Sequence, residues 1–307
     1  MSARPGAMGR QWYSHGLNTA TSLRMILTII PRVPRPLVPP IAVVTTLICI
    51  VVMSRERQAA TRNQARITEA RGARLALAVW RQFYSFSRFM VSFCHLRKMS
   101  QADLRSRLSA APDEAAPLRS ALSQGRGLVI LTAHLGNWEV GLRFLSEFGV
   151  MVNVVMLADR ASAAERWLMH FRESSGIRVL RATDPTAMLS VHAALARNEI
   201  VAMQGDRTFG GRSLSADFFG APHGFPVGPF TLAFVCGAPI VPCFVVQEGW
   251  QRWKTVIGTP ILPSETADRH AALSLGAARY ASQLEAAIRK HPDQWFTFYD
   301  PWGQSQA

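Results

Sequence analysis

Apolar positions change their period several times along the chain, and each change marks an element. Leu37 to Met53 is a 17-residue run without a charge. After it, Leu75, Val79, Phe83, Phe86, Met90 and Phe93 recur at spacings of three and four, so residues 54–110 read as helix. A loop over 111–117 follows. From there short apolar runs alternate with helical stretches. Strands are expected at Leu128–Thr132, Val150–Met156, Ile177–Leu180, Ile200–Gln204, Ile240–Val246 and Trp253–Ile257. Between them, helices are expected after Asn137 up to Phe148, over Ala161–Ser175, from Asp184-Pro185, and over Pro229–Cys236. A long alanine-rich helix, Glu265–Lys290, closes the series. This alternation predicts an α/β protein with a mixed, partly parallel sheet flanked by helices.

The first run sets the N-terminus apart, as a segment over 1–53 ahead of a main domain over 54–307. Seventeen residues, with Pro39 and Pro40 among them, fall short of the ~20 that a spanning helix uses. Five arginines precede the run, and Arg55, Arg57 and Arg62 follow it, so charge does not fix an orientation. A membrane-associated helix, spanning or lying in the interface, is the expectation. No small-residue cleavage site marks it as a signal peptide.

Charge narrows the partners. The net charge is +14, carried mostly by arginine and spread along the chain. Such a field attracts anionic lipid headgroups or an acidic carrier protein. No nucleic-acid recognition motif accompanies it, so nucleic acid is not expected as a partner. The four cysteines form no C-x-x-C pair and have no histidine at metal spacing, which speaks for small buried side chains and against a metal site.

Chemistry concentrates in Leu128-Val-Ile-Leu-Thr-Ala-His134-Leu-Gly-Asn-Trp-Glu139. An apolar strand runs into a polar turn that opens a helix, with Asn137 as N-cap. Ligands of open α/β folds bind at the carboxyl ends of strands, and His134 falls there. Within one continuous helix the two side chains would point about 140° apart. With His134 on the strand end and Gly136 turning the chain, both can face one crevice. Glu139 could then orient the imidazole, and His134 could take a proton from a hydroxyl. The plain alternative is a histidine that ends a strand and a glutamate that caps a helix. Gln204-Gly205-Asp206-Arg207-Thr208-Phe209-Gly210 also follows a strand, so Asp206 and Arg207 either line the same edge or form a surface turn. Ala216-Asp-Phe-Phe-Gly220 reads as an apolar loop patch and Phe225-Pro-Val-Gly228-Pro229 as a turn before a helix. Trp295-Phe-Thr-Phe-Tyr299 with Trp302 reads as core packing.

In this order the blocks resemble the late acyltransferases of lipid A biosynthesis, within the lysophospholipid acyltransferase superfamily. His134-Leu-Gly-Asn-Trp-Glu139 is similar to that family's His-x4-acid signature. Gly205–Gly210, Phe218-Phe-Gly220, Phe225-Pro-Val-Gly228, Ile240-Val-Pro242 and His291-Pro-Asp-Gln-Trp295 follow in family order. The resemblance covers roughly 54–302. It implies a glycerolipid acyltransferase-like fold at the cytoplasmic face of the inner membrane. It implies an acyl carrier protein or coenzyme A thioester as donor, a membrane glycolipid as acceptor, and no metal or redox cofactor. By resemblance His134 is the general base and Glu139 its partner, with Asn137, Arg160, Asp206, Arg207 and Gly228 around the substrates. Where the family has Gln and then an acid after its Asp, this chain has Arg207 and Thr208. Arg160 is the nearest substitute for an arginine expected after the second strand. At least one of these arginines is expected to meet an anionic group of the acceptor or of the donor's phosphates. These departures leave the acceptor open: a lipid A precursor, another glycolipid such as a phosphatidylinositol mannoside, or a specialised metabolite. A basic lipid-binding protein without catalysis is the remaining alternative.

Overall fold

The structure, a computed structural model, describes residues 30–96, 98–109, 112–156, 172, 176–208, 212–263 and 268–303. Three helices lead: α1 (Val38–Val52), α2 (Ser54–Thr68) and α3 (Gly72–Leu96). The single helix expected over 54–110 is thus divided. Glu69 turns left-handed with φ 56° and ends α2. Ser100 then caps a new helix, α4 (Gln101–Arg107), with Asp103 completing a capping box. Local hydrogen-bonding side chains broke a helix that the apolar stripe alone had drawn as continuous.

The sheet has seven strands in the order β1-β9-β8-β2-β5-β3-β4. They are β1 (Leu108–Ser109), β2 (Leu128–Thr132), β3 (Val152–Met156), β4 (Ile177–Arg181), β5 (Ile200–Gln204), β8 (Ile240–Gly249) and β9 (Arg252–Ile257). Every neighbouring pair is parallel except β8 with β9. The central strands are apolar on both faces because both are covered. Val129, Leu131, Val201 and Met203 face one core with α8 (Val227–Cys236) and α9 (Arg269–Lys290). Leu128, Ile130, Ile200 and Ala202 face the other, with α5 (Ala116–Leu122) and α6 (Trp138–Leu145). A further helix, α7 (Ala187–Ala196), links β4 to β5. The expected helix over Ala161–Ser175 lies outside the described residues, except for Arg172.

A hairpin lies outside the sheet, where a loop patch and a turn were expected. Strands β6 (Ser213–Phe218) and β7 (Ala221–Pro226) pair antiparallel around Phe219-Gly220. Both turn residues have positive φ, 53° and 69°, as a tight two-residue hairpin turn requires. Along β6, Leu214, Ala216 and Phe218 are buried while their neighbours are exposed, a period of two. The two prolines of β7 obscured the signal in the sequence.

The N-terminal helices pack on the domain. α1 buries Val38, Ala42 and Thr46 against it, and Thr46 Oγ1 lies 3.0 Å from Ser87 Oγ of α3. The opposite face of α1 exposes Ile41, Val44, Leu47, Ile48, Val51 and Val52. α1 and α2 meet at 98°, and among the described residues no single helix is long and apolar enough to cross a membrane. α2 and α3 brace the C-terminal segment. Asn63 Nδ2 donates to the carbonyls of Thr297 and Tyr299, and Gln82 Nε2 donates to that of Trp295.

Candidate active site

Register decides which side chains meet at the sheet's edge. β2 and β5 are parallel neighbours, with Thr132 opposite Gln204 at their carboxyl ends. The Gly205 N–H donates to the Thr132 carbonyl and carries the pairing one step further. His134 and Asp206 stand one residue beyond it. Asp206 Oδ1 lies 2.9 Å from His134 Nδ1, and Oδ2 accepts from the His134 backbone N–H at 3.1 Å. The indole Nε1 of Trp295 donates to the same Oδ2 at 3.0 Å. Asp206 is wholly buried, while the His134 side chain keeps 12% exposure.

The turn after His134 needs its glycine. Gly136 has φ 66°, and a Cβ there would stand 2.0 Å from the Val245 carbonyl oxygen of β8. That close approach lets Asn137 N–H donate to Val245 at 2.6 Å. Asn137 then caps α6, its Oδ1 accepting from Val140 N–H. The C-terminal segment closes the other side: Gly136 N–H donates to Gln294 and Phe296 N–H to the His134 carbonyl. The Trp138 ring lies edge-on to the imidazole, centroids 5.4 Å apart, and continues into Phe89 of α3.

The carboxylate on the imidazole is therefore that of Asp206. Glu139 sits in the first turn of α6, buried, and both its oxygens receive the guanidinium of Arg172, through Nη2 and, at 3.2 Å, through Nε. Arg207 does not face the crevice. It is 3% exposed, its Nη2 donates to the Phe296 carbonyl at 2.5 Å, and its Nε lies 4.0 Å from Asp206 Oδ2. Gly228 lies in the first turn of α8, apart from the bonded group around His134, and Arg160 lies outside the described residues. The sequence reading missed Arg172 and the polar use of Trp295, because neither carries a local signal. Each finds its partner only through the fold.

Electrostatics follow from the burial. Desolvation and the nearby Arg207 charge push His134 below the usual histidine value, against the pull of Asp206. Burial pushes the Asp206 carboxyl upward. The N–H of the His134 ring, the Arg207 charge and the Trp295 N–H outweigh that and hold it below the usual carboxylate range. A carboxylate anion thus faces a neutral imidazole. With Nδ1–H directed to Asp206, Nε2 carries the lone pair and is the basic nitrogen. Burial pushes the Cys243 thiol up to about 12, so it is no nucleophile near neutral pH.

A buried carboxylate that orients a neutral histidine at a sheet edge is the apparatus of base-activated transfer to a hydroxyl. The chain belongs to the bacterial lipid A biosynthesis acyltransferase family, whose profile matches residues 13–303. Similar curated proteins are phosphatidylinositol mannoside acyltransferases. One from Mycobacterium tuberculosis is 30% identical over 60% of this chain and 57% of its own length. Another, from a second strain, is 28% identical over 71% of this chain and 68% of its own. That of Mycolicibacterium smegmatis is 29% identical over 60% of each. The chain thus matches between 57% and 68% of the length of these relatives.

Proposed function

We propose that the protein transfers a fatty acyl chain from an acyl thioester to a hydroxyl of a membrane glycolipid, with His134 as general base. The observation that carries this is the His134–Asp206 pair at the carboxyl edge of β2 and β5. His134 Nε2 takes the proton of the acceptor hydroxyl as its oxygen attacks the thioester carbonyl. The tetrahedral intermediate collapses, the C–S bond breaks, and the imidazolium returns the proton to the leaving sulfur. Asp206 fixes the tautomer and stabilises the transient imidazolium. Glu139 acts at one remove, by pairing with Arg172 and so anchoring α6. The donor is an acyl carrier protein or coenzyme A thioester, and no metal or redox group enters the step.

The relatives' acceptor, a phosphatidylinositol mannoside, supports a glycolipid acceptor here. A lipid A precursor is the second reading, favoured by the family match. The test offers purified full-length protein a labelled acyl thioester with each acceptor in mixed micelles. Acyl transfer to a glycolipid hydroxyl is expected. Thioester binding without transfer to any glycolipid would sink the reading and favour a non-catalytic lipid-binding protein.

The same reading places the protein on a membrane, at the cytoplasmic face of the inner membrane, where thioester donors and glycolipid precursors meet. α1 supplies the contact. It has 15 residues, about 22 Å of helix against a hydrocarbon core of about 30 Å, and one side is already buried on α3. We therefore read it as lying in the interface with its exposed apolar face toward lipid, and the arginine-rich surface as drawn to anionic headgroups. Val44→Asp with Ile48→Asp should weaken flotation with anionic vesicles by tenfold or more, since each buried aliphatic side chain contributes ~1.5–3 kcal/mol. Unchanged flotation would remove α1 from the contact.

A further inference from the structure

We propose that Arg207 acts on the reaction through Asp206 and not through substrate: its guanidinium, with the indole of Trp295, positions the carboxylate that holds His134. This rests on His134 being the base. The sequence alone suggested the opposite, an arginine at the crevice awaiting an anion.

The geometry turns Arg207 inward. Its Nη2 donates to the Phe296 carbonyl at 2.5 Å, and its Cζ lies 5.3 Å from the centre of the Tyr299 ring. The same Phe296 peptide donates its N–H to the His134 carbonyl at 2.8 Å. One residue, Phe296, thus joins the histidine loop to the arginine. Beside it, Trp295 pairs with Leu135 as a short antiparallel bridge and sends its Nε1–H to Asp206 Oδ2. The segment is itself fixed from behind by Gln82 and Asn63. The side chain is 2% exposed, so it presents almost no surface to a substrate phosphate.

Burial gives the arrangement its purpose. A carboxylate removed from water protonates unless charges and donors compensate it. A protonated Asp206 would accept from Nδ1–H only as a neutral acid, would no longer stabilise the imidazolium, and would hold the ring more weakly. Arg207 supplies the compensating charge, and Trp295 a neutral donor on the oxygen that Nδ1 does not use. The positive charge also disfavours imidazolium, in the direction seen for His134. On α9, Tyr280 donates to the Thr132 carbonyl at 2.7 Å, and burial with the nearby Asp206 raises its phenol so that it stays neutral. Tyr299 lies on the C-terminal segment, and burial raises its phenol so that it stays neutral. His223 of β7 sits behind the Asp206 carbonyl, at 3.3 Å. On α6, Glu139 is neutralised by Arg172.

The sign of the effect is fixed. His134 must be unprotonated to act, so the rate falls as pH drops through its pKa. Asp206 stays ionised near neutral pH without Arg207, because His134 and Trp295 still hold it; with that anion kept, removing the Arg207 charge raises the His134 pKa, and the fall then begins at higher pH. Two readouts follow this in the full-length protein. One is the acid limb of kcat/KM with a thioester donor. The other is the pH dependence of His134 carbethoxylation by diethyl pyrocarbonate, read by peptide mass spectrometry, which needs no turnover.

Arg207→Met should move both midpoints to higher pH, with a severalfold loss on the acid side and little change in either KM. Arg207→Lys, which keeps the charge, should restore them. Trp295→Phe removes the N–H together with one ring; with Oδ2 left without that donor, more of the carboxylate's charge falls on the imidazole, and both midpoints should move the same way, which keeps the test alive if the methionine variant fails to fold. Unmoved midpoints with a raised KM for one substrate would overturn the proposal in favour of direct anion contact. A uniform loss at all pH values in folded protein would overturn it in favour of a mere brace. If His134→Ala retained transfer, the reading of the base would fail, while the carbethoxylation midpoints would still report whether Arg207 acts on the ring.

Discussion

His134→Ala is expected to lower acyl transfer by ~10²–10⁴-fold, the usual cost of removing a general base. A lipid hydroxyl is a weak nucleophile near neutral pH, and its attack on a thioester needs a proton acceptor already in place. Among the described residues the imidazole held by Asp206 is the group built for this: neutral, oriented through Nδ1, and partly open at the sheet's edge. The loss should fall on kcat, since the ring contributes to the transition state more than to ground-state binding. The fold should survive, because His134 contributes its backbone, and not its ring, to the contacts with Phe296. Transfer from a labelled thioester is the measurement, with circular dichroism and vesicle flotation as controls. A folded, membrane-bound His134→Ala protein that transferred acyl chains at near the wild-type rate would end the proposed mechanism.

What could be read from the sequence divides along physical lines. The central strands β2, β5 and β8 are apolar runs between turn residues, so burial on both faces made them legible. Strand β1 has two residues and no pattern, and it joins the sheet only through β9. The break at Glu69 was hidden because a left-handed residue leaves no hydrophobic trace. At the site, His134 and Asp206 could each be placed at a strand's carboxyl end. Their pairing could not, because it follows from β2 and β5 being neighbours in the sheet, a fact of strand order. Spacing offered Glu139 as the partner, since five residues on is the nearest acid along the chain. The fold instead presents an acid 72 residues on, because the parallel register carries Asp206 to the ring. Trp295 shows the same limit. A tryptophan in an aromatic cluster reads as packing, and nothing local reveals that its N–H meets a carboxylate.

The two carboxylates should separate when each is neutralised. Asp206→Asn keeps the shape but removes the charge and lets the amide present either an acceptor or a donor to Nδ1. Transfer should fall by ~10²–10⁴-fold, because the wrong tautomer puts a proton on Nε2 and the imidazolium loses its counter-charge. The change also leaves Arg207 as a buried cation without its anion, so the melting temperature should drop; breaking a buried pair typically costs about 3–5 kcal/mol. Glu139→Gln likewise leaves Arg172 without the anion that α6 presents to it, and it too should lower stability and rate. The difference lies in the imidazole. Asp206→Asn should change the pH dependence of His134 carbethoxylation, since the charge that favours the protonated ring is gone, and the midpoint should move to lower pH. Glu139→Gln should leave that midpoint in place. Combined with His134→Ala, Asp206→Asn should cost little more in rate, because the two residues act as one unit. Glu139→Gln should still add a loss through the displaced helix. If Glu139→Gln moved the His134 midpoint and Asp206→Asn did not, the partner of the base would be Glu139, as the spacing in the sequence first suggested.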